Sequence, residues 1–338
     1  MKFETITIKD IAKALGLSTS TVSRALRGGY EISEETKKTV LDYAAKINYQ
    51  PNPIALSLKE RRSHSIGIVV CEIANNFFSQ AINGIESIAY NAGYNVIITQ
   101  SNESYDREIV NVQHLASRSV DGLLISLSSE TSNIPLLKSL HDKGLPIVFF
   151  DRISDEIQTH KVIANNFKGG FDATDYLVGC GNKRIAHITN AAHLSITKER
   201  LDGYKSALDK HGIPFDERYV KYSVYGGREQ SELEQIVADL LALPERPDAL
   251  FIAQDRLSTG ILLAVKKLAP DYAGTLKIAG FTNSNVVDLF DPGITAVRQP
   301  AFEIGQAATQ LLIKLIESKY PVTDFETRVL DTELMVKG

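Results

Sequence analysis

Several polar segments beyond residue 65 contain the residue types that bind a small polyhydroxylated molecule. Amide, carboxylate and guanidinium groups can each hold two neighbouring hydroxyl groups, and an aromatic ring can cover the C–H face of a sugar. Each segment follows an apolar run, and Arg200 lies near the start of the helix predicted after Asn190. The other segments are Asn-Asn-Phe-Phe at 75–78, Asp-Arg at 151–152, Gln-Asp at 254–255 and Phe-Thr-Asn at 281–283. Together they predict a ligand-binding site.

The sequence lacks the motifs of several common enzyme classes. It contains no G-x-x-x-x-G-K-[ST] loop, no G-x-G-x-x-G after the first predicted strand, no H-E-x-x-H and no G-x-S-x-G. The seven histidines are scattered, which is not typical of a metal site. Cys71 and Cys180 lie far apart in apolar stretches, which excludes a disulfide framework and fits a reducing compartment. We therefore expect neither enzymatic activity nor a bound cofactor or metal.

A second group of polar side chains lies near the N-terminus, in a pattern typical of a helix-turn-helix. Ile11 and Leu15 form one apolar face of the first helix, and Gly16 can take a positive φ at the turn. Ser18 is a natural N-cap for the second helix. The short polar run Thr-Ser-Thr at 19–21 could then reach base edges in a DNA major groove. An ordinary helical hairpin would show the same apolar pattern, so that alternative stays open.

Charge is distributed unevenly along a chain of ordinary globular composition. The 338 residues are 43% hydrophobic and 23% charged, with a net charge of −4. Residues 1–64 hold 11 lysines and arginines against seven acids, a surplus of four, so the remainder carries −8. A basic segment on an acidic body is expected where only that segment touches phosphate. No apolar run approaches the ~18 residues of a membrane span, and residues 1–10 hold no signal-peptide core, so we expect a cytoplasmic protein without a membrane partner.

Buried β-branched runs alternate with helical patterns from residue 66 onward. The predicted strands are 66–71, 95–100, 122–127, 146–150, 184–189, 219–224, 249–253 and 276–281, with helices between them, for example over 79–91 and 260–268. This alternation indicates βαβ units in parallel sheets covered on both faces. An open doubly wound sheet uses about five or six strands. The chain therefore predicts two similar lobes that separate near 164–166.

The predicted organisation is an all-α helix-turn-helix headpiece followed by an α/β region of two doubly wound parallel-sheet lobes. The headpiece takes residues 1–50, a hinge takes 51–64 and the α/β region takes 65–338. Lobe 1 is expected at about 65–164 and 293–323, and lobe 2 at about 165–292 and 324–338. The last helix, at 302–318, and a strand near 327–336 would cross back to complete both lobes. A ligand would bind in the cleft between the lobes, at the carboxyl ends of the strands.

Short runs along nearly the whole chain match the pattern of one known family. The headpiece has Thr-Ile-Lys-Asp-Ile-Ala at 7–12, Thr-Val-Ser-Arg-Ala-Leu at 21–26 and Tyr-x-Pro-Asn at 49–52. The α/β region has Asp-Arg at 151–152, Arg-Leu-x-Gly-Tyr at 200–204, Gly-Phe at 280–281 and Thr-x-Val-x-Gln-Pro at 295–300. On these runs the chain resembles the lactose/galactose repressor (LacI/GalR) family. The resemblance implies a DNA-binding regulator whose periplasmic-binding-protein-like region senses a small-molecule effector.

The resemblance also implies which headpiece residues contact DNA. Thr19 and Ser20, at the start of the recognition helix, would read base edges. Arg24 would bind a guanine through two hydrogen bonds or, as the alternative, a phosphate. Thr21 and Ser23 are expected on phosphate. The remaining expected headpiece contacts are Thr7 and Ser18.

In the family, the hinge is disordered when free and forms a helix on the operator. Asn52 could cap that helix, and Pro53 suits its first position. Ala55 and Leu58 match the residues that enter the minor groove, Leu58 as a wedge that unstacks a base step. The alternative for Leu58 is a packing role in a permanent helix. The family usually has arginine where this chain has Leu56, which removes one candidate DNA contact.

Effector contacts are implied in the same way. Arg200 and Asp255 are the strongest candidates, followed by Phe78 and Asp151. Asp255 could instead cap the helix that begins there, and Asp151 could simply pair with Arg152. The remaining candidates are Asn76, Asn190, Phe281 and Thr282.

We therefore expect a sequence-specific transcription regulator, a repressor of carbohydrate-utilisation genes. It would bind a palindromic double-stranded DNA operator as a homodimer and respond to a small-molecule effector, most simply a sugar. A purine or nucleoside effector, or a protein partner, is the alternative. A periplasmic-type solute-binding protein shares the two lobes but needs an export signal and no headpiece. Thr282 stands where the family commonly has an aspartate that binds sugar hydroxyls, which weakens assignment to a particular simple sugar, and Asn182 stands where it has histidine.

Overall fold

The structure, a computed structural model, describes residues 6–28, 31–49, 62–285, 289 and 293–336. Contacts divide the chain into two units, Met1–Ser63 and His64–Gly338. The first unit holds the residues of the predicted headpiece and nearly all of the predicted hinge. The second holds the predicted α/β region.

The described part of the first unit contains the helices α1 (Ile8–Leu15), α2 (Thr19–Leu26) and α3 (Glu34–Lys46). Ile11, Val22 and Val40, one from each helix, are fully buried against one another. Gly16 ends α1 with a φ of 64°, the left-handed conformation predicted for the turn. The helix-turn-helix prediction is therefore confirmed.

Strands and helices alternate along the second unit. The strands are β1 (Ser65–Val70), β2 (Asn95–Gln100), β3 (Gly122–Ile125), β4 (Ile147–Phe150), β5 (Lys161–Ala164), β6 (Ile185–Thr189), β7 (Val220–Tyr222), β8 (Ala249–Ile252), β9 (Lys277–Phe281), β10 (Ile294–Arg298), β11 (Thr327–Leu330) and β12 (Glu333–Met335). The helices are α4 (Asn76–Asn91), α5 (Tyr105–Ser117), α6 (Pro135–Asp142), α7 (Asn166–Gly179), α8 (Ser195–Lys210), α9 (Gln230–Leu241), α10 (Asp255–Leu268), α11 (Pro270–Ala273) and α12 (Ala301–Glu317). No helix in the described part of the chain is long and apolar enough to cross a membrane.

The strands form two six-stranded sheets, one in each lobe. The strand order is β11-β5-β4-β3-β1-β2 in lobe 1 and β12-β10-β9-β8-β6-β7 in lobe 2. All neighbouring strands are parallel except β12, which is antiparallel to β10. The first strand of each lobe lies between the second and the third, so each sheet is wound in both directions. The predicted fold of two doubly wound lobes is therefore confirmed.

The chain passes between the lobes after β5, after β10 and after β11. The first passage lies at 164–166, where the separation was predicted. The expected boundaries near 293 and 324 are wrong for two strands, because β10 pairs with β9 in lobe 2 and β11 pairs with β5 in lobe 1. The strand predicted near 327–336 is in fact two strands in different sheets. With four and three residues, and two residues between them, β11 and β12 are too short for periodicity to separate.

Two pairs of helices approach so closely that only glycine fits between them. In lobe 1, a Cβ added at Gly84 of α4 would lie 2.0 Å from the carbonyl oxygen of Phe302 in α12. In lobe 2, a Cβ added at Gly170 of α7 would lie 2.4 Å from the carbonyl oxygen of Arg200 in α8. Distances below 3.0 Å to backbone atoms leave no room for a methyl group. The backbone of Arg200 is therefore packed directly against α7.

His187 lies in the apolar core of lobe 2. It is fully buried, with ring centroids 5.2 Å from Tyr204 and 4.6 Å from Phe251 in stacked arrangements. Burial disfavours the charged imidazolium and lowers the pKa of His187 to about 3.

We expect the variant His187→Phe to be less sensitive to acid than the native chain. In the unfolded chain the imidazole has a pKa of about 6.5. Below that pH the imidazole is protonated in the unfolded chain but stays neutral in the folded chain. The free energy of unfolding then falls by about 1.4 kcal/mol per pH unit, or roughly 2 kcal/mol between pH 7 and pH 5. Urea unfolding at these two pH values measures the difference. If it is the same in the variant, another group causes the acid sensitivity.

Candidate functional site

The carboxyl ends of the parallel strands in both sheets meet at the cleft between the lobes, where doubly wound folds bind ligands. Two cavities open there, and each is lined by residues of both lobes. The larger, about 440 Å³, lies among the loops after β1, β8 and β9. The smaller, about 200 Å³, lies among the loops after β3, β4 and β6 and includes Leu127, Arg152 and His193 in its walls.

The larger cavity brings together three of the predicted effector residues, Asn76, Asp255 and Thr282. Glu72 and Arg256 line it as well. The Thr282 hydroxyl donates a hydrogen bond to the Asp255 carboxylate. Asp255 is the first residue of α10, and the N-cap position belongs to the residue before it. The alternative role of Asp255 as a helix cap is therefore not what the structure shows.

Arg200 is held in place on three sides at the carboxyl ends of the lobe 2 strands. It is 3% exposed, its Nε donates to Oδ1 of Asn166 at 2.9 Å, and its Nη1 donates to the carbonyl oxygen of Ala253. The guanidinium carbon lies 3.7 Å from the ring centroid of Phe281. Burial lowers the pKa of Arg200 to about 10, so the group is still charged at neutral pH. One face of Phe281, a predicted effector residue, is thus covered by Arg200.

Asp151 directly follows β4 and is buried, with a φ of 59°, a conformation that non-glycine residues rarely adopt. Its carboxylate accepts a hydrogen bond from the Ser126 hydroxyl at 3.3 Å. Burial raises the pKa of Asp151, although the charges of Arg152 and Arg200 favour its ionised form. Strain and burial of this kind are typical of residues that contact a ligand.

The expected alternative, a simple pair between Asp151 and Arg152, holds only weakly. Arg152 makes two hydrogen bonds to the carboxylate of Glu103, at 2.6 and 2.9 Å, while its Nε lies 4.0 Å from Asp151. Burial acts to raise the pKa of Glu103, but the charge and hydrogen bonds of Arg152 outweigh it and lower that pKa. Glu103 also accepts the backbone N–H of Ser129 at 2.8 Å. Arg152 therefore serves mainly to join the loops after β2, β3 and β4.

Several side chains near the carboxyl ends of the strands carry buried polar atoms that have no hydrogen-bond partner in the described part of the chain, and besides Arg152 and Gln299 they include the four that follow. Two directly follow strands, Ser101 after β2 and Asn190 after β6. Gln254 follows β8 by two residues, and Thr197 lies in the first turn of α8. Buried polar groups are nearly always paired in native proteins, so these four are the donors and acceptors expected to meet a ligand.

Sequence reasoning identified only part of this set. Asn190 was predicted as an effector residue and Gln254 lies in a predicted polar segment, whereas Ser101 and Thr197 were not predicted. The position of Ser101 directly after the predicted strand 95–100 is the signal that could have found it. Nothing in the sequence distinguishes Thr197 from other polar residues in the first turn of a helix.

Phe78, which was predicted to contact the effector, belongs to the apolar core of lobe 1. It is 5% exposed within the lobe 1 core, and its ring packs edge-on against Phe150 at a centroid distance of 6.4 Å. It does not line either cavity, a property that it shares with four other predicted effector residues, Asp151, Asn190, Arg200 and Phe281. Its aromatic character therefore serves packing in this structure.

Side chains also join the two lobes across the cleft. Arg256 of lobe 2 forms an ion pair with Glu72 of lobe 1, in the wall of the larger cavity. The amides of Gln80 in lobe 1 and Asn283 in lobe 2 are linked at 2.8 Å. Arg228 of lobe 2 donates to the carbonyl oxygen of Asn102. The lobes are thus in contact around the proposed ligand site.

In the first unit, the predicted DNA-contacting residues lie at the start of α2 and on its surface. Thr19 and Ser20 are exposed, and the Ser18 hydroxyl caps α2 by accepting the backbone N–H of Thr21 at 3.0 Å. Arg24 is half exposed and pairs with Glu31 at 2.9 Å.

The other DNA candidates have different surroundings. Ser23 accepts hydrogen bonds from Arg27 at both its hydroxyl and its carbonyl oxygen. Exposed Thr7 donates from its hydroxyl to Asp10 at 2.7 Å. The hinge residues Asn52, Ala55 and Leu58 lie outside the described residues.

Comparison with known proteins covers both units. Residues 7–52 match the bacterial regulatory proteins of the lacI family, and residues 66–320 match the periplasmic binding protein domain. The HTH-type transcriptional repressor PurR of Vibrio atlanticus (strain LGP32) is 31% identical over 96% of this chain and 95% of its own length. The HTH-type transcriptional repressor CytR of Escherichia coli (strain K12) is 31% identical over 98% of this chain and 95% of its own.

A solved structure shows the same architecture. The transcriptional regulator CelR, in its complex with cellobiose, is 27% identical, covers 98% of each chain and superposes with a TM-score of 0.70. The predicted resemblance is thus confirmed over almost the full length, with a helix-turn-helix unit followed by two parallel-sheet lobes. The chain belongs to the LacI family of DNA-binding transcriptional regulators.

Proposed function

We propose that this chain is a repressor that binds a palindromic operator as a homodimer and is modulated by a sugar bound between its lobes. The genes it controls would then serve carbohydrate utilisation, and the protein would act in the cytoplasm. Two recognition helices, each a copy of α2, would enter successive major grooves with half-site centres about 10 bp apart. Paired hinges, with Leu58 as the wedge, would kink the minor groove between them.

The observation that carries the sugar proposal is the polar chemistry of the cleft. Ser101, Asn190, Thr197 and Gln254 carry buried polar atoms that have no hydrogen-bond partner among the described residues, and Asp255 lines the larger cavity. Such groups match the hydroxyls of a sugar, each of which can donate and accept. The CelR relative, which holds cellobiose, supports the same class of ligand.

A purine or nucleoside is the second candidate, because the PurR and CytR repressors are similar over the whole chain. A base usually needs an aromatic face on which to stack. Here the Phe281 ring is covered by Arg200, and Phe78 lies in the lobe 1 core. A sugar ring would also use an aromatic face, so these contacts do not separate the two classes, and the sugar is favoured by the buried polar groups of the cleft and by the CelR relative. A protein partner remains the third possibility for the signal.

Effector class is tested by the thermal unfolding of the purified full chain against sugars, sugar phosphates, nucleosides and purines. A ligand at 100 times its Kd stabilises a protein by about 2.7 kcal/mol, which raises the Tm by several degrees. A sugar that does so, and then changes operator binding in a gel shift, supports the proposal. Stabilisation by nucleosides or purines alone would overturn it. If no compound raises the Tm, the proposal of a sugar effector fails and a protein partner becomes the candidate source of the signal.

The operator proposal predicts that Arg24→Ala loses sequence discrimination. A two-bond contact to guanine contributes about 1–3 kcal/mol, so affinity for the operator should fall about 5- to 150-fold. Affinity for unrelated DNA should change much less, because phosphate contacts supply it. The operator sequence is first obtained by selection from random DNA, and both affinities are measured at one salt concentration.

The matched variant for this test is Glu31→Gln, which removes the ion-pair partner of Arg24 and leaves the arginine in place. It should not weaken operator binding. Parallel losses on operator and unrelated DNA in Arg24→Ala would assign Arg24 to a phosphate instead.

A further inference from the structure

We propose that Asn166 is a positioning residue that fixes the guanidinium group of Arg200 for contact with the effector. Arg200 has five N–H donors in one plane, and their directions are set once the plane is set. The Asn166 side chain accepts a hydrogen bond from Nε at 2.9 Å, and the carbonyl oxygen of Ala253 accepts one from Nη1. The ring of Phe281 lies against one face of the guanidinium plane. Nη2 makes no hydrogen bond to the described residues, so the ligand can take that donor.

The orientation of the Asn166 amide is itself fixed. Asn166 is 2% exposed, and its Nδ2 donates to a Glu199 carboxylate oxygen at 2.9 Å and to the carbonyl oxygen of Ala164 at 3.1 Å. A flipped amide would direct its N–H groups at the guanidinium of Arg200 and its oxygen at the Glu199 carboxylate. Both contacts would be repulsive. Oδ1 must therefore face Arg200.

Asn166 lies where the chain first passes from lobe 1 to lobe 2. Ala164 is the last residue of β5 in lobe 1, and Asn166 begins α7 in lobe 2. The amide thus joins the first passage between the lobes to an arginine of the ligand site. A change in the backbone at this passage would rotate the guanidinium group of Arg200. Conversely, a ligand bound to Arg200 would hold the backbone of the passage in one conformation.

The inference rests on the proposed function for the identity of the ligand, but the positioning itself can be tested without any ligand. An arginine Nε–H that is buried and hydrogen-bonded exchanges slowly with water and gives a resolved signal in a ¹H–¹⁵N spectrum. The full chain is labelled with ¹⁵N-arginine, and Arg200→Lys identifies the Arg200 signal by its loss. We expect Asn166→Ala to speed exchange of that proton at least tenfold.

Two variants make this test specific. Asn166→Asp in a Glu199→Gln background keeps an oxygen acceptor toward Arg200 without bringing two carboxylates together, and it should retain slow exchange. Asn165→Ala removes the neighbouring amide, which bonds to Asp331 and caps α7 but does not contact Arg200. It should lower stability without speeding exchange at Arg200. Equal exchange rates in the native chain and Asn166→Ala, or equal acceleration by Asn165→Ala, would overturn the proposal.

The consequence for ligand binding is measured by calorimetry with cellobiose and with ribose. For whichever sugar binds, Asn166→Ala should weaken binding at least tenfold, and it should add almost nothing in an Arg200→Lys background because both changes disable the same contact. Full additivity of the two losses would contradict a role through Arg200. If neither sugar binds the native chain, the choice of these sugars as effectors fails, while the exchange measurement still decides the role of Asn166.

Discussion

Gly170→Ala is expected to destabilise lobe 2 by about 3 kcal/mol or more, at or above the upper end of the usual cost of overpacking. The added methyl group would lie 2.4 Å from the carbonyl oxygen of Arg200, a backbone atom that cannot rotate away. The helices α7 and α8 must therefore separate or bend. Since α7 carries Asn166 and α8 carries Arg200, we expect effector binding to fall with stability.

The matched control is Gly179→Ala, at the C-terminal end of the same helix. No atom lies within 4 Å of a Cβ added there, and its backbone has no positive φ. Alanine should be neutral at this position or stabilise the protein by up to about 1 kcal/mol, because it restricts the unfolded chain more than glycine does. Urea unfolding gives both values. Equal stability of the two variants would contradict a rigid contact between α7 and α8.

Arg200→Ala should weaken effector binding at least about 30-fold, and operator binding should no longer respond to effector concentrations that act on the native chain. Truncating one partner of a buried, hydrogen-bonded charged contact costs about 2–5 kcal/mol, part of which comes from the acceptors left behind. Here those acceptors are Oδ1 of Asn166 and the carbonyl oxygen of Ala253. Calorimetry with the stabilising sugar found in the thermal screen measures the affinity.

Arg218→Gln provides the comparison, because it also removes one arginine charge from lobe 2. The Arg218 side chain is 63% exposed and pairs with Asp216 two residues away. An exposed pair of this kind contributes little, so effector affinity should change less than about twofold. Similar losses in the two variants would mean that Arg200 acts through the overall charge of the lobe and makes no direct contact.

The headpiece could be predicted from sequence because its signals are local. Gly16 at the turn and Ser18 at the start of α2 each have the conformation or hydrogen bond that their residue types suggest. The two lobes could also be predicted from the sequence, because long buried strands such as β1 alternate with long helices. The first passage at 164–166 was found because one set of alternating units ends there.

Features that depend on distant pairings could not be predicted. The partner of Arg152 is Glu103, 49 positions away in the chain, and periodicity carries no information about such a choice. The same holds for β10 and β11, whose residues fit either sheet until their neighbours are known. The link between Asn166 and Arg200 joins two helices through a geometry that only the folded lobe defines.

The division of the final strands between the sheets has a consequence for synthesis in the cell. β11 completes the edge of lobe 1 beside β5, yet it leaves the ribosome only after five of the six strands of lobe 2, β6 to β10, have been made. At about 5–20 residues per second, β5 is exposed as an open edge for roughly 10–30 s. An unpaired parallel edge is a template for association with other chains. The nascent protein is therefore most vulnerable to aggregation, and most in need of a chaperone, during the interval in which its second lobe is translated.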